Sequence, residues 1–245
     1  MKALFDADAV PFDAAYEESG VYGHMLRSRL AAALRLLGDG PGDVLDAGMG
    51  PGRLCAELDS RGWTVTGVDF SDEMVALARR RLPQASGRLV QARLENLPFP
   101  DASFDAVASL GVLEYVDNLQ AALRELVRVL RPGGLAVVSN PYPRGVWGLT
   151  RRLVLYPLLR AGKRVLPLSR PVPPRIGRRR FEELLVSTGL RVEALAYSNF
   201  VVVITPLDRL LPRITVRLAG RLEDSSPTIG KWFATQLLLA ARKDS

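Results

Sequence analysis

Residues 43–52 read DVLDAGMGPG, and this stretch decides the fold of the chain. A short apolar run ends in an acid and breaks into a turn that has glycine at every second position, at Gly48, Gly50 and Gly52. Glycine lets the backbone turn sharply and approach a ligand, and the free N–H groups of the helix that follows point at that ligand. The stretch predicts a buried strand, a ligand-binding turn and a helix.

The spacing of the glycines narrows the class of ligand. It is G-x-G-x-G and not the G-x-G-x-x-G of dinucleotide folds, because Arg53 stands where the third glycine of that pattern belongs. A second acid, Asp69, ends the next predicted strand 23 residues after Asp46. At about this distance an α/β fold presents a carboxylate to the two hydroxyls of a ribose. The alternative is a tight strand-to-helix connection that binds nothing.

Length and composition limit the class of protein. A chain of 245 residues with 48% hydrophobic residues can bury one sizeable core, and we expect a single domain over 1–245. The single cysteine, Cys55, excludes an internal disulfide and suits a reducing compartment. With one histidine, His24, a zinc site is not expected. The first ten residues lack a basic, apolar signal sequence, so we expect a cytoplasmic protein.

Hydrophobic periodicity predicts alternating strands and helices. The predicted strands lie around 43–47, 64–68, 88–91, 104–109, 134–139, 190–197 and 232–241. The predicted helices lie around 13–37, 52–61, 72–81, 118–130 and 180–187. Such alternation is typical of an α/β fold with a doubly wound, mostly parallel sheet whose two faces are covered by helices.

Three further segments extend the pattern: LENLPFPDASFDAV at 94–107, GVLEYV at 111–116 and LRELVRVLRPGGL at 123–135. Together with the glycine turn, and in this order, they resemble the class I S-adenosylmethionine-dependent methyltransferases, in particular the small-molecule group related to the quinone methyltransferases. The resemblance covers about residues 40 to 140. It implies a Rossmann-like fold with a seven-stranded sheet, in which the last strand is antiparallel, and S-adenosyl-L-methionine as the cofactor.

The resemblance also assigns a cofactor site. The residues implied to lie against the methionine part are Asp46, Ala47, Gly48, Met49, Gly50 and Gly52, with Asp46 orienting the amino group. Asp69 is implied to bind the ribose, while Phe70 and Met74 would pack on the adenine or simply pack at the start of their helix. Leu110, after the fourth strand, completes this set.

The adenine edge departs from the family pattern. The family has an acid two residues before the position of Glu95, where this chain has Arg93. A guanidinium cannot accept a hydrogen bond from the adenine amino group. We therefore expect adenine to be read by the backbone at Leu94 and by packing, or by Glu95, within a site segment that comprises residues 93–95.

The resemblance places the reaction centre just after the fourth strand, which indicates Glu114 and Tyr115. A general base is needed only if the acceptor starts protonated, and Glu114 is the candidate, especially if burial raises its pKa. Tyr115 would orient the acceptor or face the sulfonium. The alternative for Glu114 is a solvated acid at the start of a helix.

Two segments lie outside this framework. A helix expected at about 13–37 would cover the cofactor, with Tyr22 and Arg27 near its carboxylate, or would be a plain packing helix. From residue 126 to residue 181 there are 13 basic residues and no acid, whereas the remainder has 20 basic and 26 acidic residues. Within this segment the family pattern is interrupted at about 141–180 by apolar clusters that alternate with arginines.

The insert at 141–180 allows several roles. No run reaches 18 apolar residues, so we do not expect it to span a bilayer. It would form a helical cap that touches an anionic membrane or an acidic amphiphilic substrate, or a cap that only packs on the core.

The sequence thus predicts a methyltransferase that acts on a small apolar or amphiphilic molecule, such as a quinone precursor, a lipid, a prenyl compound or a secondary metabolite. The net charge of +7 suggests RNA as another acceptor, but the basic segment has few aromatic residues to stack bases. A protein that binds S-adenosylmethionine without catalysis is a third reading. The sequence does not indicate an oligomeric state.

Overall fold

The computed structural model describes residues 2–142, 176–200, 212–223 and 232–244. Within these ranges, seven strands form one sheet: β1 Gly42–Ala47, β2 Trp63–Asp69, β3 Leu89–Gln91, β4 Phe104–Ser109, β5 Leu130–Pro141, β6 Leu190–Phe200 and β7 Ala234–Lys243. The α-helices of the same ranges are α1 Lys2–Ala15, α2 Val21–Leu37, α3 Arg53–Ser60, α4 Asp72–Arg81, α5 Leu119–Val129, α6 Arg178–Ser187 and α7 Pro212–Glu223. Short 3-10 helices lie at Pro83–Arg88 and Leu113–Tyr115.

The strand order is β3-β2-β1-β4-β5-β7-β6. The first five strands of this order pair in parallel, while β7 is antiparallel to both β5 and β6. The doubly wound, mostly parallel Rossmann-like fold and its antiparallel last strand are therefore confirmed. The start of β5 differs from its predicted position. The strand begins at Leu130 and not near 134, because Leu130 pairs with Phe104 before a shift in register.

Helices cover both faces of the sheet, as the continuous apolar character of its central strands requires. On one face, α2, α3 and α4 bury residues such as Leu34, Leu58 and Val75 in a common core cluster. On the other face, residues such as Leu126 of α5 and Phe181 of α6 belong to a second cluster. Because both faces are closed, the edge at which the parallel strands end is the natural place for a ligand.

The N-terminal region differs from the single helix expected at 13–37. The structure has two helices, α1 and α2, joined by a turn at residues 16–20. Gly23 explains the tightness of this turn, because a Cβ there would lie 2.3 Å from the Glu18 carbonyl oxygen. The guanidinium of Arg27 donates to the Glu18 carbonyl at 2.9 Å and to the Tyr16 carbonyl, so Arg27 stabilises the turn.

The basic segment is locally neutralised wherever the structure describes it. Its five described arginines all form ion pairs with acids: Arg128 with Glu125 and Asp101, Arg131 with Asp43 and Asp105, Arg178 with Glu182, and Arg179 and Arg180 with Glu183. Its other basic residues fall between 144 and 175, and the cap insert of 141–180 lies outside the described residues over 143–175. The surplus charge therefore belongs to that insert.

Gly52, which ends the glycine turn, is predicted to be needed for folding. Its φ is +75°, and a Cβ there would lie 2.9 Å from the Ala78 Cβ on α4. Gly52→Ala should therefore combine backbone strain of about 1 to 2 kcal/mol with an overpacking cost of about 1 to 3 kcal/mol in the free energy of unfolding. Urea denaturation measures the sum.

Two other glycines provide matched controls. Gly62 has a φ of +84° but nothing within 4 Å of the position that a Cβ would occupy, so Gly62→Ala should show the strain alone. Gly87 has neither feature, and Gly87→Ala should be neutral or slightly stabilising. Equal stabilities of the Gly52 and Gly62 variants would contradict the close packing of the turn on α4.

Candidate active site

A cavity of about 320 Å³ opens at the carboxyl ends of β1, β2 and β4. The register of β1 and β2, with Ala47 opposite Val68, brings the glycine turn beside the end of β2 at Asp69. Residues of α1 and α2 form the rest of the wall. A cavity of this size and position is typical of ligand sites in α/β folds.

The first two glycines of the turn are required for different physical reasons. Gly48 has a φ of +86°, and a Cβ there would lie 2.3 Å from Val112, so this glycine lets the loop after β4 approach the turn. Gly50 has a φ of +52°, and a Cβ there would have only Phe12 at 3.8 Å and Met74 at 4.0 Å nearby. Gly50 therefore presents bare backbone to the cavity, which is where a ligand can approach closely.

Asp69 holds the turn in place and still faces the cavity. Its Oδ2 accepts from the Gly50 N–H at 2.9 Å, and its Oδ1 accepts from the Ser71 N–H at 2.9 Å. Burial raises the pKa of Asp69, while these backbone donors oppose the increase. A carboxylate has about four acceptor positions, so the backbone donors do not use all of them and a ligand hydroxyl can still donate to Asp69.

Asp46 is the most deeply buried acid of the site, with 2% of its surface exposed. The Cys55 thiol donates to its Oδ2 at 3.3 Å. Burial raises the pKa of Asp46 to about 7; the hydrogen bond from Cys55 lowers it, and the charge of Asp69 raises it further. A cation that binds beside this carboxylate would relieve the cost of its burial.

Glu114 lies in the short helix after β4 and also lines the cavity. Its Oε2 is fully enclosed and accepts no hydrogen bond from any described residue. Burial raises the pKa of Glu114, opposed by a backbone hydrogen bond and by the charge of Arg29. The alternative of a solvated acid at a helix start does not agree with this enclosure.

Aromatic side chains of α1, of the residue after β2 and of the short helix after β4 contact one another in the cavity wall. The ring of Phe5, on α1, lies edge-on to Phe70 and to Tyr115, with ring centroids 5.3 Å apart in both pairs. Helix α1 is anchored to the domain by Asp13, which pairs with Arg53 at 2.7 Å and with Arg81 at 2.9 Å. The cover over the site therefore includes α1, which the expected lid at 13–37 largely missed.

Eleven of the seventeen site residues expected from the sequence line the cavity: Tyr22, Asp46, Gly48, Met49, Gly50, Asp69, Phe70, Met74, Leu110, Glu114 and Tyr115. Arg27 does not, because its guanidinium donates to the turn between α1 and α2. Ala47 is instead buried in the core, and Gly52 packs on α4. Their neighbours along the chain line the cavity, so both act on its shape through the backbone.

The segment 93–95 is not part of the cavity wall that the structure describes. Arg93 is exposed and pairs with Asp117 and, at 3.6 Å, with Glu95. The Glu95 Oε1 accepts from the Asp117 N–H at 2.9 Å, and the Leu94 side chain is buried in the core. Arg93 and Glu95 thus stabilise the loop before α5, and the reading of adenine in this segment stays a prediction.

Fifteen of the 26 lining residues were not among the site residues expected from the sequence, and they include Phe5, Phe12, Arg29 and Asn199. The spacing of Phe5, Asp8 and Phe12 fits one face of a helix, and this spacing could have predicted that α1 exists and presents one face to the site. Arg29 and Asn199 stand in no motif. They reach the cavity only because α2 packs against β6.

These residues fit the groups of S-adenosylmethionine, the cofactor that the resemblance implies. Buried carboxylates suit its ammonium and sulfonium charges, Asp69 suits a ribose, and Phe70 with Met74 offers an apolar surface for adenine. The open backbone at Gly50 leaves room for close approach.

The chain is similar in sequence to known methyltransferases. Residues 45–138 match the family described as "Methyltransferase domain". The malonyl-[acyl-carrier protein] O-methyltransferase of Enterobacter lignolyticus is 44% identical over 110 residues, which are 42% of this chain and 43% of that protein. The demethylmenaquinone methyltransferase of Thermus thermophilus is 40% identical over 154 residues, 60% of this chain and 66% of that protein.

These matches span less than two thirds of the length of either relative. The fold match covers more: the crystal structure of an S-adenosylmethionine-dependent methyltransferase from Thermotoga maritima, 17% identical, superposes with a TM-score of 0.68 and covers 100% of both chains. The resemblance stated from the sequence is confirmed by these findings. Residues 45–138 match the methyltransferase-domain family, and the fold of the chain is that of S-adenosylmethionine-dependent methyltransferases.

Proposed function

We propose that this protein transfers a methyl group from S-adenosylmethionine to a small apolar or amphiphilic acceptor. The observation that carries the proposal is a single cavity whose wall includes both Gly50 and Asp69, suited to the donor, and the enclosed carboxylate of Glu114. A cavity that binds the donor alone has no need of an acid after β4 with an enclosed oxygen that accepts no hydrogen bond from any described residue.

The donor, when bound, supplies an electrophilic methyl group on its sulfonium. Asp69 would hold the ribose, and Asp46 the ammonium, while Phe70 and Met74 pack on the adenine. Helices α1 and α2 would keep water out, and Glu114 would take a proton from an acceptor that starts protonated. Methyl transfer is an in-line displacement. Positioning of the two reactants alone therefore lowers the activation free energy by several kcal/mol, on the order of 7 or more in well-oriented cases.

The acceptor is proposed to be small and largely apolar. The cavity wall includes Leu30, Leu110 and Val112 beside the acidic groups. Of the two relatives, one is named for malonyl-[acyl-carrier protein] and the other for demethylmenaquinone. A quinone precursor, a lipid, a prenyl compound or a secondary metabolite would each suit such a wall.

One experiment separates this proposal from its alternatives. The protein is incubated with donor labelled on the methyl group and a fractionated cell extract, and label is counted in the organic, aqueous and RNA pools. We expect label in the organic pool. Label in RNA would support an RNA methyltransferase, and donor binding without transfer to any pool would indicate a non-catalytic binding protein.

We also propose that the protein is cytoplasmic, as a single domain with a basic cap that contacts an anionic membrane peripherally. No helix of the described residues is long and apolar enough to cross a bilayer. Exposed Ile214 and Leu218 lie on α7 beside the exposed Arg213, Arg217 and Arg221. Apolar and basic residues side by side on one helix suit an anionic lipid surface.

The first prediction for the site concerns Asp69. Asp69→Asn retains one carbonyl oxygen but loses the charge that strengthens hydrogen bonds to ribose hydroxyls, so donor affinity should fall by about ten- to one-hundredfold. Calorimetry measures this affinity. Asp39→Asn, at an exposed position just after α2, is the control and should bind normally; unchanged affinity in both variants would contradict the assignment.

A second prediction concerns the pH dependence of donor binding. Because the pKa of buried Asp46 lies at about 7, the free protein carries a proton there below that pH, and a cationic donor favours the carboxylate. Donor binding should therefore release a proton, and affinity should rise as the pH increases from about 5.5 to about 7. Calorimetry in buffers of different ionisation enthalpy detects the proton.

The variant Asp46→Asn isolates this contribution, since the pKa values of Asp69 and Glu114 in the same cavity are raised as well. It should bind more weakly and lose most of the pH dependence. A wild-type affinity that is constant over this range would show that Asp46 does not face the donor's charge.

A third prediction concerns Glu114. Glu114→Gln preserves size but cannot take a proton, so turnover should fall by about one-hundredfold or more while donor affinity stays within about twofold. Initial rates of label transfer, together with calorimetry, measure both quantities. Glu57→Gln, at an exposed position on α3 outside the described cavity wall, is the matched control, and normal turnover in Glu114→Gln would exclude a role as base.

A further inference from the structure

The two acids at the ends of β1 and β2 are held in the site by different kinds of group. Asp69 accepts from the backbone N–H groups of Gly50 and Ser71, which the fold itself fixes. No backbone N–H of the described residues donates to the Asp46 carboxylate. Its Oδ2 accepts instead from the Cys55 thiol at 3.3 Å. The orientation of Asp46 therefore depends on a side chain to which the proposed function gives no task.

The register of the sheet makes room for this thiol. Gly67 of β2 lies opposite Asp46 in the parallel pairing of β1 and β2. A Cβ at Gly67 would lie 3.2 Å from the Cys55 Sγ and 2.3 Å from the Met49 Sδ, so the two sulfur atoms fill the space that a side chain would need. Cys55 is fully buried in the first turn of α3. Helix α3 can bring its thiol to the end of β1 because position 67 has no side chain.

The thiol stays protonated at neutral pH and therefore remains a hydrogen-bond donor. Burial raises the pKa of the Cys55 thiol well above its ordinary value, and the charge of Asp46 raises it further, against a smaller opposing effect of the Arg81 charge. A protonated thiol has one hydrogen to donate, and the Asp46 Oδ2 receives it. Because reactivity belongs to the thiolate, Cys55 is not expected to act as a nucleophile.

The second oxygen of Asp46 is the one that remains for a ligand. Asp46 lines the cavity, and its Oδ1 accepts no hydrogen bond from any residue that the structure describes. Unlike the Glu114 Oε2, this oxygen is not fully enclosed. A largely buried carboxylate oxygen without a donor is unfavourable until a cation or another donor contacts it. With Oδ2 held on the thiol, Oδ1 is left on the side of the cavity.

We infer that Cys55 is a positioning residue, which holds one oxygen of Asp46 so that the other faces the ammonium group of the donor. The thiol itself does not touch the donor. The terminal torsion of an aspartate is soft, so a carboxylate without this hydrogen bond would rotate more freely and bind the ammonium less well. The inference rests on the proposed function and deepens it, because it names what orients the acid that binds the donor.

The ionisation of Asp46 responds to described groups on two neighbouring elements. The charge of Asp69, on β2, opposes it, and the hydrogen bond from Cys55, on α3, favours it. Ala108, opposite Asp46 on β4, is uncharged, and Arg81 of α4 acts on the thiol. Removal of the thiol should therefore raise the pKa of Asp46 from its value of about 7. Below the raised pKa, a proton competes with the cationic donor over a wider pH range.

Infrared spectroscopy of the full chain observes the thiol directly, because the chain has one cysteine and its S–H stretching band belongs to Cys55 alone. Without ligand, we expect this band to move to lower frequency as the pH rises through about 7, since a carboxylate accepts more strongly than a carboxylic acid. With S-adenosylhomocysteine bound, the same shift should occur at lower pH. Asp46→Asn should remove the pH dependence in both states.

Variants at position 55 separate positioning from packing. By calorimetry with S-adenosylhomocysteine, Cys55→Ala should lose about three- to tenfold in affinity at about pH 6 and about twofold or less at about pH 8.5, where Asp46 is largely ionised without the thiol. Cys55→Ser, which keeps a donor, should recover most of the loss. Leu58→Val, at a fully buried position on α3 outside the described cavity wall, is the packing control and should keep the wild-type pH dependence.

Two results would overturn the inference: an S–H band that does not respond to pH in the wild-type protein, or a loss of affinity in Cys55→Ala that is equal at the two pH values. If the smaller residues do not fold, Cys55→Thr and Cys55→Val repeat the comparison, because they share one shape and differ in the hydroxyl. Failure of the proposed function is distinguished by label transfer. Absence of label in every pool would contradict methyl transfer, while ligand binding and the S–H band would still report on Cys55.

Discussion

The hydrogen bond from the Gly50 N–H to the Asp69 carboxylate, 2.9 Å long, is the contact on which the site depends. It joins the turn after β1 to the last residue of β2, so the two strand ends form one surface. A second bond, from the Ser71 N–H, fixes the same carboxylate to the start of α4. A residue at position 50 with a side chain would put that side chain into the cavity, and a residue at 69 without a carboxylate would release the turn.

Enclosure gives this surface its electrostatic character. Helices α1 and α2 contribute a large part of the cavity wall, and burial raises the pKa of Asp46, of Asp69 and of Glu114. Each of these acids is therefore easier to ionise when a cation stands beside it. A ligand with both an ammonium and a sulfonium is well matched to such a wall, because it relieves a desolvation cost that the folded protein already bears.

The sequence was most informative where local chemistry determines position. Strand ends, glycine spacing and the acids at Asp46 and Asp69 are set by short-range rules, and the structure brings them to one cavity as the order of the parallel strands requires. Glu114 is indicated by the resemblance, yet the enclosure of its Oε2 lies in a cavity whose wall includes helices distant in the sequence. Local pattern cannot report burial of that kind.

The features of the site that the sequence does not predict depend on tertiary packing. Arg29 is one arginine among many on a surface helix by pattern, and Asn199 stands in a plain strand, so nothing short-range links them. The break between α1 and α2 depends on the close approach of Gly23 to the Glu18 carbonyl, which is also a packing event. The sequence shows the departure at Arg93, but the ion pair of Arg93 with Asp117 before α5 depends on how the two loops fold together.

The central claim is that one cavity at the ends of β1, β2 and β4 binds the donor with its sulfur directed toward Glu114. A crystal structure of the protein with S-adenosylhomocysteine tests this most directly. The account predicts both ribose hydroxyls within hydrogen-bond distance of Asp69, the amino group beside Asp46 and the sulfur facing Glu114. Electron density for the ligand outside this cavity, or a ribose that does not contact Asp69, would contradict it.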